Sequence, residues 1–195
     1  NTALFLYKKY FTDAFNNITE LKIFSNNYIH KSFYCMVVCR FIYNCCNLQY
    51  LNLNNINYIG HKFLNIIFLK SKCPKIISLK LNGITNIDDN YLIDISTHYP
   101  NIKEINIKYG NITDTGFNIF LNKCVYLKYI SLYGCICLSD VSIYKIANVI
   151  KNLKYLDISV CEKITDSSIN ELCKKQLNIE SLNMEYTNIG KQAID

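Results

Sequence analysis

The cysteines are the residues most open to a chemical reading. Ten occur in 195 residues, and Cys135, Cys137, Cys161 and Cys173 fall close enough together to suggest a zinc site. Structural zinc is normally held by two close ligand pairs, such as C-x2-C twice. This chain offers C-x-C, then 23 residues, a lone cysteine, then 11 more and another. That spacing argues for buried packing and against a metal. Cys35 and Cys39 stand four apart in a predicted helix and could touch one ion, but no further ligand is paired with them in sequence. His30, His61 and His98 lie far apart, with no carboxylate or thiol pattern to tie them together. There is no Gly-rich phosphate loop, no G-x-S-x-G elbow and no H-E-x-x-H helix. The expectation is a protein without catalysis, cofactor or metal.

Composition narrows the remaining classes. Half of the residues are hydrophobic, enough for a sizeable core in one domain over 1–195. The net charge of +6 comes from scattered lysines and a single arginine, Arg40. A nucleic-acid surface would call for clustered charge and the arginine fork, so none is expected. Abundant Asn, Ile, Lys and Tyr fit an AT-rich coding sequence and carry little functional weight. At about 5% the cysteines are too sparse for a disulfide-stapled secreted domain, which predicts reduced thiols in an intracellular, cytoplasmic or nuclear protein. The Asn17–Thr19 and Asn111–Thr113 sequons would matter only in a secretory compartment. No apolar run approaches the length of a membrane span. The chain opens at Asn1 without Met and stops in mid-pattern, which reads as a piece of a longer protein.

Any site must be positioned by the period that runs through the chain. The pattern apolar-x-x-apolar-x-apolar recurs at Ile18-Leu21-Ile23, Leu48-Leu51-Leu53, Ile76-Leu79-Leu81, Ile102-Ile105-Ile107, Leu127-Ile130-Leu132, Leu153-Leu156-Ile158 and Ile179-Leu182-Met184, in steps of 30, 28, 26, 25, 26 and 26 residues. The alternation within each match marks a short strand with one buried face. About five residues later come Ile87-Asp88-Asp89, Ile112-Thr113-Asp114, Leu138-Ser139-Asp140 and Ile164-Thr165-Asp166, whose oxygens can accept the unpaired N–H groups that open a helix. Helical spacing follows in Phe117, Phe120, Leu121 and Cys124, and in Ile143, Ile146, Ala147 and Ile150. Each unit is thus strand, turn and helix, and a unit this small buries its apolar stripe only by stacking on its neighbours. Residues 1–17, with Phe5, Phe11 and Phe15, read as the helix of a preceding unit, and Asp195 falls inside the turn and helix start of the last.

Leu127 to Asp140 and Leu153 to Asp166 resemble the cysteine-containing leucine-rich repeat, Leu-x-x-Leu-x-Leu-x-x-Cys-x-x-Ile-Thr-Asp, the first with one extra turn residue. The likeness covers about residues 18–190. At the first family cysteine Ile56, Ile84, Gly110 and Thr187 stand instead, and Asn26 in a longer loop. At the second, Cys45, Cys73 and Cys124 alternate with Tyr99, Ile150 and Gln176. Such tolerance predicts a site that needs a small or apolar filler and not a thiol. The resemblance implies an α/β fold: a right-handed leucine-rich-repeat solenoid, or horseshoe, of about seven repeats, parallel sheet on the concave face and helices on the convex face. It also implies a protein-capturing module, either the substrate-recognition part of an F-box-type ubiquitin ligase or, as the alternative, a scaffold or complex-assembly factor. Leu21 to Cys45 bears a faint likeness to an F-box core, but it lacks the Leu-Pro opening, and Leu21 and Ile23 already serve as anchors. A ligase core would therefore be reached through a segment outside this sequence.

Function then rests on the concave face. Its columns are predicted as Glu20-Tyr50-Ser78-Glu104-Tyr129-Tyr155-Ser181, Lys22-Asn52-Lys80-Asn106-Ser131-Asp157-Asn183 and Phe24-Asn54-Asn82-Lys108-Tyr133-Ser159-Glu185. Tyr129, Tyr133 and Tyr155 fall in two adjacent units, flanked by Asp157, Lys108 and Glu104. Tyrosine offers wide amphipathic contact at low entropic cost, so these six residues are the expected contact set for a protein partner.

Overall fold

A computed structural model describes residues 15–23, 39, 41–54, 73–84 and 87–190. Phe5, Phe11, Phe24, Asn26, His30, Cys35, Ile56, His61, Asp195 and most of the F-box-like stretch lie outside the described residues.

The repeat anchors assemble as their spacing predicts. Seven three-residue strands, β1 (Glu20–Lys22), β2 (Tyr50–Asn52), β3 (Ser78–Lys80), β4 (Glu104–Asn106), β5 (Tyr129–Ser131), β6 (Tyr155–Asp157) and β7 (Ser181–Asn183), form one sheet in chain order, every pair parallel. The register aligns the middle anchors as Leu21, Leu51, Leu79, Ile105, Ile130, Leu156 and Leu182. Four described helices link the later strands: α1 (Asp89–His98), α2 (Asp114–Lys123), α3 (Asp140–Val149) and α4 (Asp166–Lys175). Neighbouring helices pack on one another, with Phe117, Phe120, Ile143, Ile146 and Leu172 buried beneath them. All anchors of units two to six are at most 1% exposed, whereas those of β1 and β7 are only partly covered. The architecture is a leucine-rich-repeat solenoid, with helices on one face of a parallel sheet and the other face left open. Among the described residues no helix is long and apolar enough to cross a membrane.

The helix starts differ from the expectation in one respect. Asp88, Thr113, Ser139 and Thr165 all sit at the N-cap, but only Asp88 and Ser139 accept a helix N–H, from Tyr91 and Val141. All three hydroxyls donate to the preceding unit, that of Ser139 while also capping its own helix. Thr113 donates its N–H and Oγ1 to Asp89, both at 2.7 Å; Ser139 does the same to Asp114 at 3.0 and 2.6 Å, and Thr165 to Asp140 at 2.8 and 2.6 Å. Ser142 and Ser168 add a third donor to Asp114 and Asp140. At the matching place in α2 stands Gly116, where a Cβ would lie 2.2 Å from Asp89 Oδ1. The Thr/Ser-Asp pair is thus a clamp between units, with each carboxylate also at the positive end of its own helix.

The buried thiols also do more than fill space. Cys161 Sγ donates to the carbonyl of Leu132 in the unit before it at 3.2 Å, and Cys73 Sγ to those of Ile42 and Cys45 at 3.0 Å. In the phase of Cys73, Gln176 sends its amide to the carbonyls of Ala147 and Ile150. The filler reading is corrected to this extent: a donor, where the position carries one, satisfies a carbonyl of the preceding unit.

Candidate functional site

The open face of the sheet carries the residues expected to bind. Register places Glu104, Tyr129 and Tyr155 side by side in the first column, and Asn106, Ser131 and Asp157 in the second. Beyond the strands the ladder continues through Tyr109 N–H to the carbonyl of Tyr133, Gly134 N–H to that of Ser159, and Val160 N–H to that of Glu185. Lys108, Tyr133, Ser159 and Glu185 thereby form a third column.

These columns resolve into two aromatic ridges with a polar floor between them. Tyr129 is 45% exposed, and Tyr155 beside it is half-buried with its hydroxyl accepting from Asn183 Nδ2 at 3.2 Å. Beyond the end of β5, in the turn that follows it, the Tyr133 ring meets Tyr109 edge-on with centroids 5.3 Å apart. Lys108 Nζ lies 4.7 Å from the Tyr133 ring centroid, within cation–π range. The floor consists of Ser131, Asp157 and Ser159, all at most 7% exposed. Ser131 Oγ donates to Asp157 Oδ2 and the Ser159 N–H to Asp157 Oδ1, both at 3.1 Å. Glu185 N–H closes the series on Ser159 Oγ at 3.3 Å.

The six expected residues therefore share one face but not one cluster. Tyr129 pairs with Tyr155, Tyr133 with Lys108, and Asp157 lies beneath as a brace whose oxygens are engaged within the protein. Glu104 stands one unit away, held by Ser78 Oγ at 2.6 Å and Lys80 Nζ at 2.8 Å. Proximity of the Tyr109 hydroxyl, and then the charges of Asp157 and Glu185, raises the Tyr133 phenol above its ordinary 10.0. Burial, followed by the charge of Asp157, does the same to Tyr155.

One member of the site escaped the column reading. Tyr109, 64% exposed, has a φ of 56° and lies over Gly134, where a Cβ would come 2.5 Å from its ring. Gly83, Gly134, Val160 and Tyr186 hold the same phase, seven residues after the first anchor, and all share the positive φ. The glycines at 83 and 134 were the available signal of a left-handed turn that carries this position clear of the strand.

The other candidate groups are placed apart from this face. Burial pushes the thiols of Cys124 and Cys135 up to about 12, and those of Cys45 and Cys161 to about 11. That is the reverse of what a nucleophile or metal ligand requires. Cys137 is half-buried and Cys173 exposed. His98 Nδ1 lies 2.8 Å from the Asp94 carbonyl of its own helix. Among the described residues no three His, Cys, Asp or Glu side chains converge as metal ligands would.

No protein-family model matches the chain. Among solved structures, the crystal structure of the Rad7 and Elc1 complex in yeast aligns at a TM-score of 0.44 with 14% sequence identity, covering 96% of this chain and 68% of that one. A likeness of that degree bears on neither partner nor activity.

Proposed function

We propose that this chain is a protein–protein interaction module that holds a protein partner on the open face of its sheet and performs no catalysis. The observation that carries this reading is the pair of tyrosine ridges, Tyr129 with Tyr155 and Tyr109 with Tyr133, flanking the Ser131-Asp157-Ser159 floor on a rigid sheet. Rigid tyrosines give large contact area at small entropic cost, and a pre-formed floor adds none of its own. The groups able to do chemistry are spent on architecture: the aspartates in the clamps between units, the buried thiols on backbone carbonyls. The finer reading is the cysteine-containing repeat subtype in the substrate-recognition part of an F-box-type ubiquitin ligase, with the ligase core reached through another segment. Its support is the match of Leu127–Asp140 and Leu153–Asp166 to that subtype. The second reading is a scaffold or complex-assembly factor using the same face.

Affinity capture from lysate tests the module, followed by the Tyr133→Ala/Tyr155→Ala double variant against the captured partner. Each large aromatic contact at an interface contributes about 1–3 kcal/mol, so the double variant weakens capture at least tenfold with the circular dichroism spectrum unchanged. Undiminished capture by a folded double variant refutes the reading of this face. Co-capture of ubiquitin-ligase subunits separates the finer reading from the scaffold.

A further inference from the structure

The charge on the open face is unevenly compensated. In the early units it cancels locally: Lys22 pairs with Glu20 at 2.9 Å and Lys80 with Glu104 at 2.8 Å. In units six and seven, Asp157 and Glu185 stand on the face, and neither makes an ion pair with a lysine among the described residues. This occurs in a chain with a net charge of +6, where lysines are the commoner charged residue. Asp157 is 7% exposed and is held by Ser131 Oγ and the Ser159 N–H, both neutral donors. A carboxylate so deeply covered gains most from a nearby cation. Glu185 stands exposed at the rim, its N–H on Ser159.

The aromatic walls complete the arrangement. Tyr155 and Tyr133 border the floor on opposite sides, and a tyrosine ring face attracts a cation through its quadrupole. Lys108, from the unit before, already uses this property in cis, its ammonium 4.7 Å from the Tyr133 centroid.

Resting on the reading of this face as the partner surface, we infer that units five to seven receive a lysine or arginine side chain from an extended segment of the partner protein. The cation lies between the rings of Tyr133 and Tyr155, with Asp157 beneath and Glu185 at the rim as its counter-charges. The specificity of this end of the face is thus for basic segments.

The test is a titration of the whole chain, followed by amide NMR, with a blocked penta-arginine peptide and with penta-glutamate as the control. Penta-arginine is expected to shift amides around Ser131, Asp157 and Glu185. Glu185→Gln or Tyr155→Ala should weaken it about three- to tenfold, while Tyr155→Phe keeps the ring and Glu171→Gln, on the helix side, has no effect. Equal response to penta-glutamate, or undiminished affinity in Glu185→Gln, overturns the basic-segment inference and leaves the open face standing as the binding surface. Shifts confined to the helix side overturn it likewise. Absence of any shift overturns the inference alone, since capture by the tyrosine variants judges the face independently.

Discussion

The turn seven residues after each first anchor shows how one backbone angle governs several residues. Gly134 and Val160 occupy the same phase, with φ of 70° and 60°. A left-handed backbone suits glycine and strains a β-branched side chain. Gly134→Ala should destabilise the protein by about 1–3 kcal/mol, since its Cβ would also run into the Tyr109 ring. Val160→Gly should do the opposite, by about 0.5–1 kcal/mol once the greater freedom of the unfolded glycine is deducted. Urea midpoints of the two variants check the pair, and a loss of stability in Val160→Gly would show that its contacts outweigh the backbone strain. The same angle explains why Tyr109 was hidden from a column reading. Alternation by twos assigns faces only while the chain remains a strand, and the turn re-aims the next side chain.

At the scale of elements, the Thr/Ser-Asp pairs join one helix start to the next, and Asp114 is the best-furnished case. Its burial raises the carboxyl pKa, but hydrogen bonds from Ser139 and Ser142 outweigh that and leave it below the ordinary 3.8. A depressed carboxyl contributes stability that is complete above the unfolded-chain value and is lost as pH falls through the folded one. Acidification below 3.8 should therefore drain the clamp between α2 and α3. Asp114→Asn should cost about 1–3 kcal/mol at neutral pH, and the gap from the native protein should narrow in acid, as pH falls through the lowered folded value and the carboxylate takes up its proton. Chemical unfolding at neutral and acid pH measures it, and a gap that persists in acid would place the effect in packing. The sequence pattern located these residues at the helix caps, since capping is local. The direction of the hydroxyls was not legible, because their acceptor lies 24 or 25 residues earlier, in a neighbour brought close only by stacking.

For the whole molecule, strand order and register were legible throughout, because three anchors per unit leave one way to bury them in a stack. The ridges were legible as columns but not as clusters, since Tyr129 and Tyr133 share a face while standing at opposite ends of it. Stability in such an array is a sum of unit and interface contributions, so opening can proceed from an end. Leu156 is fully buried, and Leu156→Ala should cost about 2–5 kcal/mol. Leu182 in β7 is only partly covered, and Leu182→Ala should cost about 1–2 kcal/mol. The buried thiols report where each loss falls. Cys173 is exposed and should be alkylated in the native state, whereas Cys135 and Cys161 are fully buried and held as neutral thiols. If the array opens from β7, Leu182→Ala should speed alkylation of Cys161, one unit in, more than that of Cys135, two units in. Leu156→Ala, between the two thiols, should speed both. Equal acceleration at both sites in Leu182→Ala would mean that the stack opens as one block, with coupling between units stronger than the stability of any single one.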